Sequence, residues 1–159
     1  MDFSTETEIQ FVVFKLGEEE FGIPITQVRE INRLTNPTKI PKSPSFVEGV
    51  INLRGQIIPI VDMKKRFDLE LTEYGNEARF IVVEIKDQIC GIVVDAVSEV
   101  LRIQTASIEP PPGMISSIDV EYIAGVGKIG DRLLIVLDIN KLLSEDEHQA
   151  LQDIGQSQE

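Results

Sequence analysis

His148 is the sole histidine of the chain and Cys90 the sole cysteine, so any triad of the usual kind must take its base from His148, and any thiol nucleophile must be Cys90. His148 falls in the acidic run SEDEHQALQD (144–153), beside Asp146 and Glu147, where it reads as a solvated side chain on a terminal segment rather than a general base. Cys90 sits in FIVVEIKDQICGIVVDAV and is followed by Gly91. That setting predicts a buried core thiol rather than an activated nucleophile. One histidine and one cysteine make no zinc site of the usual spacing. Among the 27 acidic residues, the runs EEE (18–20) and SEDE (144–147) read as solvated tips, and no D-x-[DN]-x-[DN]-G calcium loop is present. No catalytic residue, metal or cofactor is expected.

GVGKIG (125–130) spells the dinucleotide fingerprint G-x-G-x-x-G. The fingerprint binds a pyrophosphate only where a helix follows, because the helix N-terminus supplies the N–H groups. Here DRLLIVLDI follows, with five consecutive aliphatic residues that read as a buried strand. The lysine makes no P-loop either, which needs G-x-x-x-x-G-K-[ST].

The elements that carry these residues are mostly strands. FVVFKL (11–16) and FGIPI (21–25) flank GEEE, which reads as a hairpin loop of about four residues. In ITQVREI, Ile25, Val28 and Ile31 recur three apart and predict one or two helical turns. TNPTKIPKSPSF (35–46) carries three prolines and reads as an extended crossing segment. VEGVINLRGQIIPIVDM (47–63) reads as two strands meeting at Arg54-Gly55, with KKRF as a helical turn after them. Ser144 with Glu147 is a capping-box pattern and predicts a terminal helix over 144–153, with IGQSQE frayed.

The chain repeats itself. A slide of 69 residues lays FVVFKLGEEEFGIPITQVREI on FIVVEIKDQICGIVVDAVSEV, matching Phe11 with Phe80, Gly22 with Gly91, Val28 with Val97 and Glu30 with Glu99. A slide of 76 then matches Gly49 with Gly125 and Asp62 with Asp138. Each half holds four or five short strands, too few to bury both faces as an open sheet, so closure into a barrel is the economical solution. The expectation is one domain over 9–155, with subdomains near 17–78 and 79–143 and an N-terminal strand free to cross between them. The formal charge of −12 disfavours nucleic acid and anionic membrane surfaces as partners. MDFSTETEIQ is no signal peptide and no apolar run is long enough to span a bilayer, so a cytoplasmic protein is expected.

VEGVINLRGQIIPIVDM, with FGIPITQVREI before it and GIVVDAVSEVLRI after it, closely resembles the CheW family of bacterial chemotaxis coupling proteins, and the resemblance covers roughly residues 9 to 145. It implies a mainly β fold: two pseudo-repeated five-stranded Src-homology-3-like barrels packed around a shared core, with short helices and a C-terminal helix. It implies a non-enzymatic scaffold without cofactor that binds methyl-accepting chemotaxis receptors and the regulatory domain of the histidine kinase CheA. It also implies recruitment to receptor arrays at the inner face of the membrane. The alternative is a kinase-binding regulatory module without receptor contact. By similarity the receptor's helical tip would dock between the barrels on Val12, Ile25, Val28, Glu30, Ile31, Arg54, Val97 and Val100. The kinase-docking residues are not named by the resemblance. Without it, Ile25, Val28 and Ile31 read as core, and Arg54 as a solvated turn residue. Gly130 stands where Arg54 stands in the other half, and this asymmetry marks Arg54 for partner contact.

Overall fold

A computed structural model of the chain describes residues 7–111 and 119–157. Part of the second proline-rich connector and the last two residues of the expected frayed tail therefore lie outside the described residues. The strands are β1 (Glu8–Leu16), β2 (Glu19–Pro24), β3 (Val28–Arg33), β4 (Val47–Leu53), β5 (Gln56–Asp62), β6 (Arg79–Ile85), β7 (Gln88–Val94), β8 (Ala96–Gln104), β9 (Ile108–Glu109), β10 (Ile123–Ile129) and β11 (Arg132–Leu137). The helices are α1 (Met63–Arg66) and α2 (Glu145–Ser157), with four short 3-10 turns among the described residues.

Two sheets form two small barrels of the Src-homology-3 type, in the orders β3-β6-β7-β5-β4 and β8-β1-β2-β11-β10-β9. Neither sheet is one continuous half of the chain. The first hairpin of each repeat joins the other repeat's strands: β1–β2 pairs with β8 and β11, while β6–β7 pairs with β3 and β5. The sheets therefore do not divide at residue 79, and residues 79–94 lie with the first-half strands. The connectors explain this interlock, since only Ile25–Gln27 separates β2 from β3 and only Asp95 separates β7 from β8. Each hairpin is handed directly into the neighbouring sheet. The two parallel joins match the repeat, with Ile60 opposite Gly91 and Val136 opposite Gly22.

Strand alternation sorts the apolar residues into three cores. Val12, Phe14 and Leu16 of β1 and Ile81, Val83 and Ile85 of β6 enter one cluster shared by both barrels. Phe11 and Val13 turn the opposite way into one barrel, and Phe80 and Val82 into the other. This is why β1 and β6 read as nearly continuous apolar runs: both faces are buried. Cys90 is fully buried in the shared core, and burial pushes its thiol up to about 12.

Three local expectations need correction. The β1–β2 loop is two residues, Gly17-Glu18, with Gly17 at φ 61°; Glu19 and Glu20 belong to β2. The helical face expected at 25–31 is a 3-10 turn, Ile25–Gln27, followed by β3. A β-bulge between Val28 and Glu30 inserts one residue, so Val28 and Ile31 face the same side although three apart. The spacing mimics a helix because of the bulge. His148 is half-buried rather than solvated, and its Nδ1 is buried with no hydrogen-bond partner.

α2 runs beyond its predicted end at 153 as far as Ser157. The capping box is formed: the Glu147 N–H donates to Ser144 Oγ (3.1 Å), and the Ser144 N–H donates to Glu147 Oε1 (2.8 Å). Leu151 and Ile154 plug the shared core. Arg66 of α1 fastens the helix, donating to the Leu142 carbonyl (2.5 Å) and to Glu147 (3.1 Å) between the rings of Phe46 and Tyr122.

Candidate functional site: a groove between two edge strands

β3 and β8 are pseudo-equivalent strands, each at the end of its sheet and each beginning just after a crossover connector. Val28 lies opposite Val83 and Ile31 opposite Ile81, residues of the shared core, so both point toward the interface between barrels. Val97 lies opposite Phe14 and Val100 opposite Val12, which sets them on the corresponding face of β8. A bulge in this pairing, too, brings two residues three apart onto one face. Val28 and Val97 pack partly against the shared core, while Ile31 and Val100 are exposed at 40% and 49%. Ile25, on the 3-10 turn ahead of β3, is exposed at 37%. Between the walls lies an open cavity of about 430 Å³, lined by Lys15, Ile31, Glu77, Arg79, Ala96, Val97 and Ser98.

Val12 does not belong to this surface. It is 2% exposed within the shared core and offers nothing to a partner. Sequence alone could not separate it from Val100, its cross-strand neighbour, because β1 is apolar on both faces.

Glu30 and Arg54 meet, but on the other side of β3. Glu30 lies opposite Val82, whose side chain enters the barrel's own core, and therefore faces away from Ile31. Arg54 is the first residue of the two-residue β4–β5 turn, with φ 53° followed by φ 86° at Gly55. Two consecutive positive φ values match the twist of a hairpin. The Gly55 N–H donates to Asn52 Oδ1 (2.8 Å), closing the turn. From there the guanidinium grips both oxygens of Glu30, at 2.5 and 3.3 Å, while Asn32 Nδ2 donates to Glu30 Oε1 (2.8 Å). The Arg54 hydrogen bond, then that of Asn32, holds the Glu30 carboxyl below its ordinary value. The bidentate grip of the guanidinium is thus made on a carboxylate of the same chain. Arg54 nonetheless stays 72% exposed along its side chain.

The second barrel has a counterpart that residue-by-residue matching misses. Glu99, the equivalent of Glu30, accepts from Arg132 (3.0 Å), which also makes two hydrogen bonds to Glu20 at 3.1 and 2.8 Å. Arg132 stands two residues beyond Gly130, the position equivalent to Arg54. The charge pair is therefore present in both halves, moved from the turn to the start of the next strand. This overturns the asymmetry as a mark of partner contact. An inspection of residues flanking the turn, rather than of the turn position alone, would have found it.

Among the described residues no group of three or more His, Cys, Asp or Glu is placed to hold a metal ion. GVGKIG occupies the end of β10 and the turn into β11, so no helix N-terminus stands after its glycines.

Residues 10–147 match the family model described as CheW-like domain. The chain is 39% identical over 148 residues to the chemotaxis protein CheW of Klebsiella aerogenes, covering 93% of this chain and 89% of that one. It is 41% identical over 153 residues to the chemotaxis protein CheW of Treponema pallidum, covering 94% and 90%. The crystal structure of the scaffolding protein TtCheW from Thermoanaerobacter tengcongensis superposes with a TM-score of 0.80 at 42% identity, covering 87% of this chain and 90% of that one.

Proposed function

This chain belongs to the CheW-like family, and from that membership we propose that it is a non-enzymatic adaptor coupling methyl-accepting chemotaxis receptors to the histidine kinase CheA. The cytoplasmic tip of the receptor, a helical structure, lies in the groove between β3 and β8. Ile25, Val28, Ile31, Val97 and Val100 supply the apolar contacts, and the Glu30–Arg54 pair flanks them on the outer side of β3. CheA docks through its regulatory domain on other surfaces of the same molecule, and the protein is held at receptor arrays by these contacts. Among the described residues no helix is long and apolar enough to cross a membrane.

The observation that carries this reading is the aliphatic stripe along the groove, with Ile25, Ile31 and Val100 all exposed on a chain of net charge −12. Aliphatic side chains gathered on one groove mark a surface that a partner covers. Two walls with a cavity between them suit a helix that presents anchors three and four residues apart. Mixed charges at the rim (Lys15, Arg79 and Glu77) would set its register.

The test is a reconstitution with a CheA regulatory domain and a receptor cytoplasmic fragment, read by analytical ultracentrifugation. A ternary complex is expected, lost when Ile31 and Val100 are replaced by glutamate. A complex with the kinase domain alone would indicate a kinase-binding module without receptor contact. Absence of both complexes would overturn the adaptor reading.

A further inference from the structure

Lys64 is a buried cation with no role in the groove itself. It is 2% exposed on α1, yet its ammonium is fully engaged. It donates to Asp95 Oδ1 (2.6 Å) and Thr72 Oγ1 (2.7 Å), and lies 4.3 Å from the centre of the Tyr74 ring. Tyr74 in turn donates to Asp62 Oδ1 (2.7 Å), the carboxylate that caps α1.

Asp95 is the whole connector between β7 in one barrel and β8 in the other. Its two carboxylate oxygens serve different barrels: Oδ1 takes Lys64, and Oδ2 accepts from the Gly17 N–H (2.7 Å) in the β1–β2 turn. The Asp95 N–H also donates to the Lys15 carbonyl (3.0 Å). Lys15, Ala96, Val97 and Ser98 line the groove cavity, so one wall of the groove starts at the residue that Lys64 holds. The other crossover has no such pair. By the repeat, the equivalents of Lys64 and Asp95 are Asn140 and Thr26.

We propose that the Lys64–Asp95 pair is a positioning clasp that fixes the β8 wall of the groove against the first barrel and so presets the separation of β8 from β3. Lys64 is buried and Asp95 half-buried, and such a largely desolvated ion pair is a poor source of net stability, because desolvation offsets much of its Coulombic attraction, but it tolerates only a narrow geometry. That narrowness keeps β8 in one place at the groove's mouth, and a helix entering a preset groove loses less free energy to ordering it. The functional side of this inference rests on the groove reading above; the geometric side does not.

Spin labels on cysteines introduced at Arg33 of β3 and Arg102 of β8 report the separation of the walls, with the native Cys90 fully buried. At temperatures where circular dichroism shows every variant folded, wild type and Lys64→Arg are expected to give one narrow distance distribution, and Lys64→Met a broadened or shifted one. If Lys64→Met does not fold, Asp95→Asn carries the same comparison, since its single amide oxygen still accepts from the Gly17 N–H while the ion pair to Lys64 is lost. Identical distributions in all variants would overturn the clasp. Affinity for the receptor fragment should fall roughly tenfold in Lys64→Met, within the range that residues off a binding site contribute to it. It should be restored in Lys64→Arg and unchanged in Ile58→Val, which loosens the interior of the first barrel without touching the clasp. Because the distances are read without a partner, a wild-type protein that fails to bind the fragment would sink the adaptor reading alone.

Discussion

Arg54 sits at φ 53°, a left-handed conformation that glycine or asparagine adopts with less steric cost. Alanine is strained there to a similar degree, and the Glu30 pair is exposed and screened by solvent. Arg54→Ala should therefore leave the melting temperature within about two degrees of wild type, while weakening receptor-fragment binding in a titration. An unfolded variant, or one binding at full strength, would remove Arg54 from the contact surface. The pair also has a pH signature. The Glu30 carboxyl is held below the ordinary value of a glutamate, chiefly by the Arg54 hydrogen bond, so the folded state favours the ionised form. Its stabilisation is fully present above the unfolded pKa and is lost as pH falls through the folded one. The stability gap between wild type and Glu30→Gln should thus be constant near neutrality and close as pH falls below about 4.5, measured by urea unfolding. A gap that widens in acid would contradict the assignment.

At the level of elements, bulges do what helical turns were expected to do. They turn Val28 with Ile31, and Val97 with Val100, onto single faces of edge strands. Gly49 sits in another bulge with φ 143°, where a Cβ would run into the Thr38 carbonyl; Gly125, its repeat partner, is likewise crowded by Ile108 and the Glu109 carbonyl. These two glycines are repeated in the sequence because each half brings a connector strand against the same point. α2 is secured at its start by the capping box and at its middle by Leu151. Ser144→Ala should cost about 1 kcal/mol of stability, seen as a lower denaturation midpoint with an unchanged slope. No change in midpoint would show that core packing alone fixes the helix.

For the whole molecule, the exchange of first hairpins has a thermodynamic consequence. Neither barrel consists of contiguous chain, and the largest core belongs to both. Calorimetry should show a single transition, with van't Hoff and calorimetric enthalpies equal. A fragment ending at residue 78 should be unfolded by circular dichroism, since it holds β1–β2 without β8 and β11, and β3–β5 without β6–β7. Two resolved transitions, or a folded fragment, would mean that the barrels are independent.

Much of this was legible in the residues. The repeat of Gly22 in Gly91 and Gly49 in Gly125 exposed the duplication, and apolar runs separated by turn residues fixed the mainly β character, because these signals are local. Lone His148 and Cys90 argued against familiar reactive centres for the same reason. What the sequence could not decide depends on which strands neighbour one another. A slide of 69 residues equates β1 with β6 but does not say that each joins the other half's sheet. Whether Val12 is core or surface turns on the face of a strand buried on both sides. Arg132 answers to Glu99 across strands, and Lys64 reaches Asp95 across 31 residues. Hydrogen bonds and burial of that kind are set by distances in space, and only the tertiary structure supplies them.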